Sequence, residues 1–218
     1  LWCAYKSERD YDNIIALCKR QNLSLIFSLP FLNRASIEDQ RVFGAMQKAK
    51  NNGIFAWVNT GVFEEQDGWP TADVLLADGA KMTELTDTLK AIVVRYAEIF
   101  PEGRIMLWHE DPNHGNWGGA TREARLPNVQ KYGAEVFAVM KAATLEAAPQ
   151  SEIGIFTNAY MVPEIFPAIM PQLESMGSMP DFSFIDYYRG WMDVEHGIEK
   201  TNEMMKDSLV AGKEHTGK

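Results

Sequence analysis

The apolar residues alternate between helical and strand-like spacing along the chain. Ser7 to Gln21 carries Ile14, Ile15, Leu17 and Cys18 at helical spacing, with Ser7 as its candidate N-cap. Leu23 to Leu29 (LSLIFSL) reads as a strand closed by Pro30. A second helix is predicted from Ser36 to Asn51, with Ser36 as N-cap, Glu38 and Asp39 in its first turn and Gly53 just past its end. Ile54 to Asn59 is the next strand and runs into Thr60 and Gly61. Val62 to Lys81 reads as a long loop, a length usually reserved for function or mobility. Met82 to Phe100 places Leu85, Leu89, Ile92, Val93, Tyr96 and Ile99 on one helical face, before Pro101 and Gly103 break it. Arg104 to Trp108 is a strand, Pro127 to Ala147 a helix and Ile153 to Thr157 a strand ending in Asn158. Val162 to Ser175 reads as a helix interrupted by Pro163, Pro167 and Pro171. Phe182 to Tyr188 is the last strand. Val194 to Leu209 is the last helix, with Asp193 as candidate cap.

Strict alternation of buried strands and helices implies a parallel sheet with right-handed crossovers, an α/β fold. A doubly wound sheet would carry a glycine-rich phosphate turn, and no G-x-G-x-x-G is present. Polar and aromatic residues instead follow nearly every strand: Asn59, His109 with Glu110, Asn158 with Tyr160, Tyr187 with Arg189. Function spread over many strand ends favours a β/α barrel. Trp2 to Tyr5 can supply the end of a first strand, and Ala211 to Lys218 looks like a loop leading into another. Residues 1–218 therefore read as one barrel domain with about six of the eight units that a full barrel needs. The chain is either a fragment or a shortened barrel that covers its open edges by self-association.

A net charge of −9 and the lack of any basic run disfavour nucleic acid as a partner. No apolar run approaches the roughly 18 residues of a membrane span. The chain begins at Leu1, so the lack of a visible signal peptide leaves secretion or a periplasmic location open. Two cysteines, Cys3 and Cys18, make no disulfide framework and read as buried thiols.

The chemistry concentrates after Arg104 to Trp108. His109, Glu110, Asp111, Pro112, Asn113 and His114 form an abruptly polar stretch, followed by Gly115, Trp117, Gly118 and Gly119. A buried strand thus delivers a carboxylate, imidazoles and aromatic rings to one mouth. Glycoside hydrolysis needs two carboxyls about the scissile bond. Glu110, walled by Trp108 and Trp117, could have the raised pKa of an acid. Asp186 could be a second carboxylate or a buried group bonded to backbone or arginine. Trp57, Trp69, Trp117, Tyr160, Tyr187, Tyr188 and Trp191 fall at or past strand ends, where rings stack on the C–H faces of sugars or simply fill core. His109, Glu110, Asp111 and His114 also permit a metal reading, but the spacing is not H-E-x-x-H and Pro112 intervenes. No metal and no cofactor are expected.

The stretch LWHEDPNHG resembles the fourth-strand motif, typically W-N-E-P, of the clan of retaining glycoside hydrolases with TIM barrels. The resemblance implies a partial TIM-type (β/α) barrel, a carbohydrate substrate and Glu110 as general acid/base. Leu23 to Pro30, Ile54 to Asn59, Ile153 to Asn158 and Phe182 to Trp191 then look like the second, third, fifth and sixth strands. The tail GKEHTGK looks like the linker before the seventh. His109 stands where the clan usually has the Asn that contacts the sugar 2-hydroxyl. The clan's nucleophile, a Glu on the seventh strand, has no counterpart in this sequence. The expected substrate-binding set is His109, Asn59, Trp57, His114, Trp117, Asn158, Tyr160, Asp186, Tyr187, Tyr188, Arg189 and Trp191, acting on a β-linked oligo- or polysaccharide. The alternatives are a truncated barrel that binds carbohydrate without cleaving it, and a metal-dependent lyase or isomerase using His109, Glu110 and Asp186.

Overall fold

The computed structural model describes residues 2–3, 8–109, 114–186 and 198–216. Its elements run β1 (Trp2–Cys3), α1 (Glu8–Gln21), β2 (Leu25–Ser28), α2 (Arg34–Glu38), α3 (Gln40–Asn51), β3 (Ala56–Thr60), α4 (Ala72–Ala77), α5 (Gly79–Ile99), β4 (Arg104–Leu107), α6 (Arg122–Ala147), β5 (Glu152–Asn158), α7 (Val162–Ser175), β6 (Phe182–Asp186) and α8 (Ile198–Thr216). The six strands lie in chain order, and each is parallel to the next. This is a partial (β/α) TIM-type barrel, as the alternation predicts.

Strand alternation divides the apolar side chains into two layers. Leu25, Phe27, Ala56, Val58, Ile105, Leu107, Ile153 and Ile155 face the helices and join the main core. Ile26, Met106 and Phe156 point the other way and form a second cluster with Trp57, Phe182 and Phe184. That inner cluster fills the concave side of the sheet. Gly154 belongs to the same face, and a Cβ there would stand 2.3 Å from the Phe182 ring.

Local chemistry moves several predicted boundaries. The single helix expected from Ser36 is two helices, capped by Asn33, which accepts from Ser36 N, and by Asp39, which accepts from Arg41 and Val42 N. Two good caps six residues apart make two short helices favourable. The predicted loop from Val62 to Lys81 contains a 3-10 turn at Glu65–Asp67, then α4 and the start of α5, capped by Asp78. Helix α6 begins at Arg122 under a Thr121 cap, five residues before Pro127. The three prolines of α7 do not break it. They recur every four residues on its exposed face, where carbonyls that lose an N–H partner meet water. Helix α8 continues to Thr216 through most of the stretch predicted to be a loop. The candidate caps Ser7 and Asp193 lie outside the described residues. Cys18 is buried and free, and no helix among the described residues is long and apolar enough to cross a membrane.

Tyr96 of α5 ties strands β3 and β4 together below the site. Its buried hydroxyl donates to Ala56 O at 2.7 Å and accepts from Arg104 N at 3.0 Å. Burial pushes this phenol far above the ordinary tyrosine range. An unfolded tyrosine ionises near pH 10. The folded state therefore holds a proton that the unfolded state loses, and stability present below about pH 10 falls as the pH rises beyond it. Tyr96→Phe orphans two buried backbone groups and is expected to cost about 1–3 kcal/mol at neutral pH. The deficit should narrow above about pH 10, where only the tyrosine protein pays an ionisation penalty. Urea unfolding of both proteins at the two pH values measures this, and a deficit that stays constant would contradict the assignment.

Candidate functional site

The mouth is built where four strands stop. On β3, Asn59 shares the inner face with Trp57 and has no solvent exposure. On β4, alternation puts Arg104 and Met106 inside and Ile105 and Leu107 outside. Trp108 should then turn inward. It does not, because its backbone adopts the left-handed region at φ 72°. That reversal sends the indole into the outer core, where it packs edge-on against Phe137 and Trp117 with ring centroids 5.7 and 5.5 Å away. Gly133 of α6 makes room for it, since a Cβ there would lie 3.1 Å from the ring. His109 follows on the inner side, edge-on to Phe156 of β5 at 5.1 Å.

Asn59 closes this corner. Its amide NH2 donates to Met106 O at 3.3 Å and, through a short contact, to Trp108 O. Its Oδ1 faces His109 Nδ1 at 2.8 Å. After four undescribed positions the chain returns at His114, whose ring lies 5.0 Å from that of His109 and 6.5 Å from Phe31. His114 Nδ1 lies 3.2 Å from Glu64 Oε1, in the loop after β3. The same loop receives the returning segment through three bonds: Asn116 N to Phe63 O (2.6 Å), Ala72 N to Asn116 O (3.0 Å) and Asn116 Nδ2 to Trp69 O (2.8 Å). Beside it runs a cleft of about 660 Å³ lined by Glu64, Glu65, Gln66, Asn116, Gly118 and Arg125, among others. Asn158 and Asp186 complete the rim from β5 and β6, as register partners on neighbouring strands.

The structure thus brings together Asn59, His109 and His114, and pairs Asn158 with Asp186 in register at the ends of β5 and β6. It sorts the aromatic candidates differently. Trp57 lies two residues below Asn59, packed on Phe182 and Phe184 at 5.4 and 6.2 Å and under the Arg104 guanidinium at 4.9 Å. It belongs to the floor of the barrel interior. Trp117, expected to wall the site, is 1% exposed and packs behind it against Phe63 and Trp108. Trp69 is also core, its indole N–H donating to Leu32 O at 2.7 Å. Tyr160 falls in the turn Ala159–Met161 directly after β5. Glu110, Tyr187, Tyr188, Arg189 and Trp191 lie outside the described residues.

Sequence reading missed Glu64 as the partner of His114 and Phe156 as the ring under His109. The length of the loop after β3 was the available signal for the first. Strand alternation within Ile153 to Thr157, which sets Phe156 opposite in facing to Ile155, was the signal for the second. Among the described residues no group of three or more His, Cys, Asp or Glu side chains is placed to hold a metal ion.

No protein-family model matches the sequence, and no curated protein matches it. Solved structures do. The chain is similar to a psychrophilic glycoside hydrolase family 10 endo-β-1,4-xylanase, with a TM-score of 0.59 at 11% identity, over 99% of this chain and 71% of that one. It is similar to the GH53 catalytic domain of Ignisphaera aggregans, with a TM-score of 0.58 at 15% identity, over 90% of this chain and 56% of that one. A third similar structure is the endo-β-mannanase/endo-β-glucanase PbGH26A-GH5A of Prevotella bryantii, with a TM-score of 0.56 at 12% identity, over 96% of this chain and 32% of that one. At these identities the likeness is one of fold, and the chain spans only part of each neighbour's length.

The left-handed Trp108 is the corner's weakest point and its anchor. A bulky residue in that region costs about 1–2 kcal/mol. Removing a fully buried indole costs about 3–5 kcal/mol. Trp108→Gly relieves the first and incurs the second, so a net loss of about 1–4 kcal/mol is expected in thermal or urea unfolding. A glycine variant as stable as the parent would mean that the indole contributes nothing beyond offsetting its own strain.

Proposed function

We propose that this chain is the six-strand portion of a glycoside hydrolase barrel, acting on a β-linked oligo- or polysaccharide by a retaining mechanism with Glu110 as general acid/base. One observation carries the reading. Polar side chains stand at or just past the ends of successive parallel strands, Asn59 on β3, His109 after β4, Asn158 on β5 and Asp186 on β6, in a fold shared with glycoside hydrolases. Sugars offer many hydroxyls at fixed spacing, and a ring of amides, imidazoles and carboxylates matches them. Glu110 directly follows His109, which Asn59 holds at that mouth. The polar cleft beside Glu64 would extend the contact to further sugar units. Tyr160, Tyr187, Tyr188, Arg189 and Trp191 follow β5 and β6 in the sequence and would supply rings and a cation on that side.

In such a mechanism Glu110 protonates the leaving glycosidic oxygen, and a second carboxylate about 5 Å away attacks the anomeric carbon. Water then hydrolyses the glycosyl ester, with Glu110 acting as base. Asp186, the last residue of β6 and the register partner of Asn158, is the proposed second carboxylate.

Incubation with xylan, mannan and β-glucan, followed by analysis of the released sugars, tests this reading. Glu110→Gln is expected to lower kcat by roughly 10²–10⁴-fold while disaccharide affinity is retained. Asp186→Asn reports whether that carboxylate shares the chemistry. Sugar binding with no turnover in the parent protein would overturn the hydrolase assignment, and the absence of both would sink the glycan assignment.

A further inference from the structure

Glu64 sits on a braced part of the loop after β3. Its main-chain carbonyl accepts from Asp67 N at 3.1 Å and from Trp69 N at 3.2 Å. Phe63 before it is buried against Trp117, with ring centroids 5.1 Å apart. Both oxygens of its carboxylate are engaged. Oε1 faces His114 Nδ1 at 3.2 Å, and Oε2 accepts from the Gln66 amide through a short contact. An ionised carboxylate only accepts, so His114 presents a hydrogen on Nδ1 whether its ring is neutral or cationic. Phe31 meets the same ring edge-on at 6.5 Å, and its backbone bridges to Val62 of that loop. Glu64 is the fixed partner of the pair: its side chain is 17% exposed, against 36% for His114.

Four residues, Glu110 to Asn113, join His114 to His109 in the chain. His109 is bonded to Asn59 of β3, and the two imidazoles stand 5.0 Å apart. The segment that carries Glu110 therefore starts and ends on side chains tied to β3 and the loop after it. We infer that Glu64 is a positioning residue for Glu110: by clasping His114 it fixes the far end of that segment, as Asn59 fixes the near end. The role toward Glu110 rests on the function proposed above. The clasp does not. The main-chain bonds of Asn116 brace the chain two residues later, and Gly115 between them adopts the left-handed region at φ 86°. They leave the ring of His114 to Glu64. A carboxylate held from one side only would lose its aim, and a misplacement of about 1 Å costs up to about 10²-fold in rate.

Two measurements on the full chain separate the clasp from its consequence. Long-range ¹H–¹⁵N correlation spectra of histidine-labelled protein, recorded above the imidazole titration, report which ring nitrogen bears the proton, and His114→Gln assigns the signals. His114 is expected to carry its proton on Nδ1 in the parent protein and to move toward Nε2–H in Glu64→Leu. A parent protein with Nε2–H dominant at His114 would overturn the clasp, and that result needs no variant to fold. The second measurement is steady-state hydrolysis of xylan, mannan and β-glucan. Glu64→Leu is expected to lower kcat by about 10–100-fold while KM changes by less than about threefold. Glu64→Gln, whose amide oxygen still accepts from Nδ1–H, should lose clearly less. The effect of Glu64→Leu should vanish in a His114→Leu background, because it acts through that ring. A loss confined to KM would make Glu64 a sugar contact of the cleft and overturn the positioning role, as would a full loss that persists without His114. A proton on Nδ1 of His114 in a protein that hydrolyses none of these glycans would overturn the hydrolase reading, and with it the role toward Glu110, and leave the clasp standing.

Discussion

Strand β4 cannot both bury Trp108 and present His109 while it keeps strand alternation. Alternation would have placed the indole in the barrel interior and the imidazole among the helices. The left-handed backbone at Trp108 resolves the conflict, and the rest of the mouth depends on that reversal. The indole seals the outer core against Phe137 and Trp117. The carbonyl it turns inward becomes one of the two acceptors that orient Asn59. Strain of about 1–2 kcal/mol is tolerated because the burial it permits is worth more.

The site is therefore supported from behind by the fold. Asn59 spans β3 and β4 just above the level at which Tyr96 clamps the same two strands from the helix side. The returning segment at His114 to Trp117 is fixed to the loop after β3 by main-chain bonds and by the Glu64 contact. Both ends of the motif segment are held by residues from one neighbouring unit. Geometry of this kind, in which rigid strands carry the polar groups and packed loops brace them, is what precise recognition requires.

The inner apolar cluster has a related role. Ile26, Met106, Phe156, Trp57, Phe182 and Phe184 fill the interior beneath the polar rim and keep its side chains at the mouth. The Arg104 guanidinium over Trp57 and its ion pair with Glu152 mark the opposite end of the interior. A polar rim above an apolar filling is the division of labour a (β/α) barrel needs: stability from the interior, chemistry from the C-terminal ends of the strands.

The sequence by itself determined the order of strands and helices, the parallel sheet, the partial barrel and the clustering of polar residues after the strands. These follow from apolar periodicity and from breakers such as Pro30, Pro101 and Gly103, which act over a few residues. Helix starts were less legible, because Asn33, Asp39 and Thr121 cap by accepting backbone hydrogen bonds, and several residues could have done so. Only the tertiary structure decided the fate of the aromatic rings. Trp57 lies within β3 close to its polar end, and Trp69 and Trp117 follow strands, as platform residues would, yet each faces packed neighbours. Facing depends on register and on the reversal at Trp108, neither of which composition encodes. The same holds for Asn59 and His109, fifty residues apart: their bond exists because adjacent parallel strands stop together, and a crossover helix lies between them in the chain.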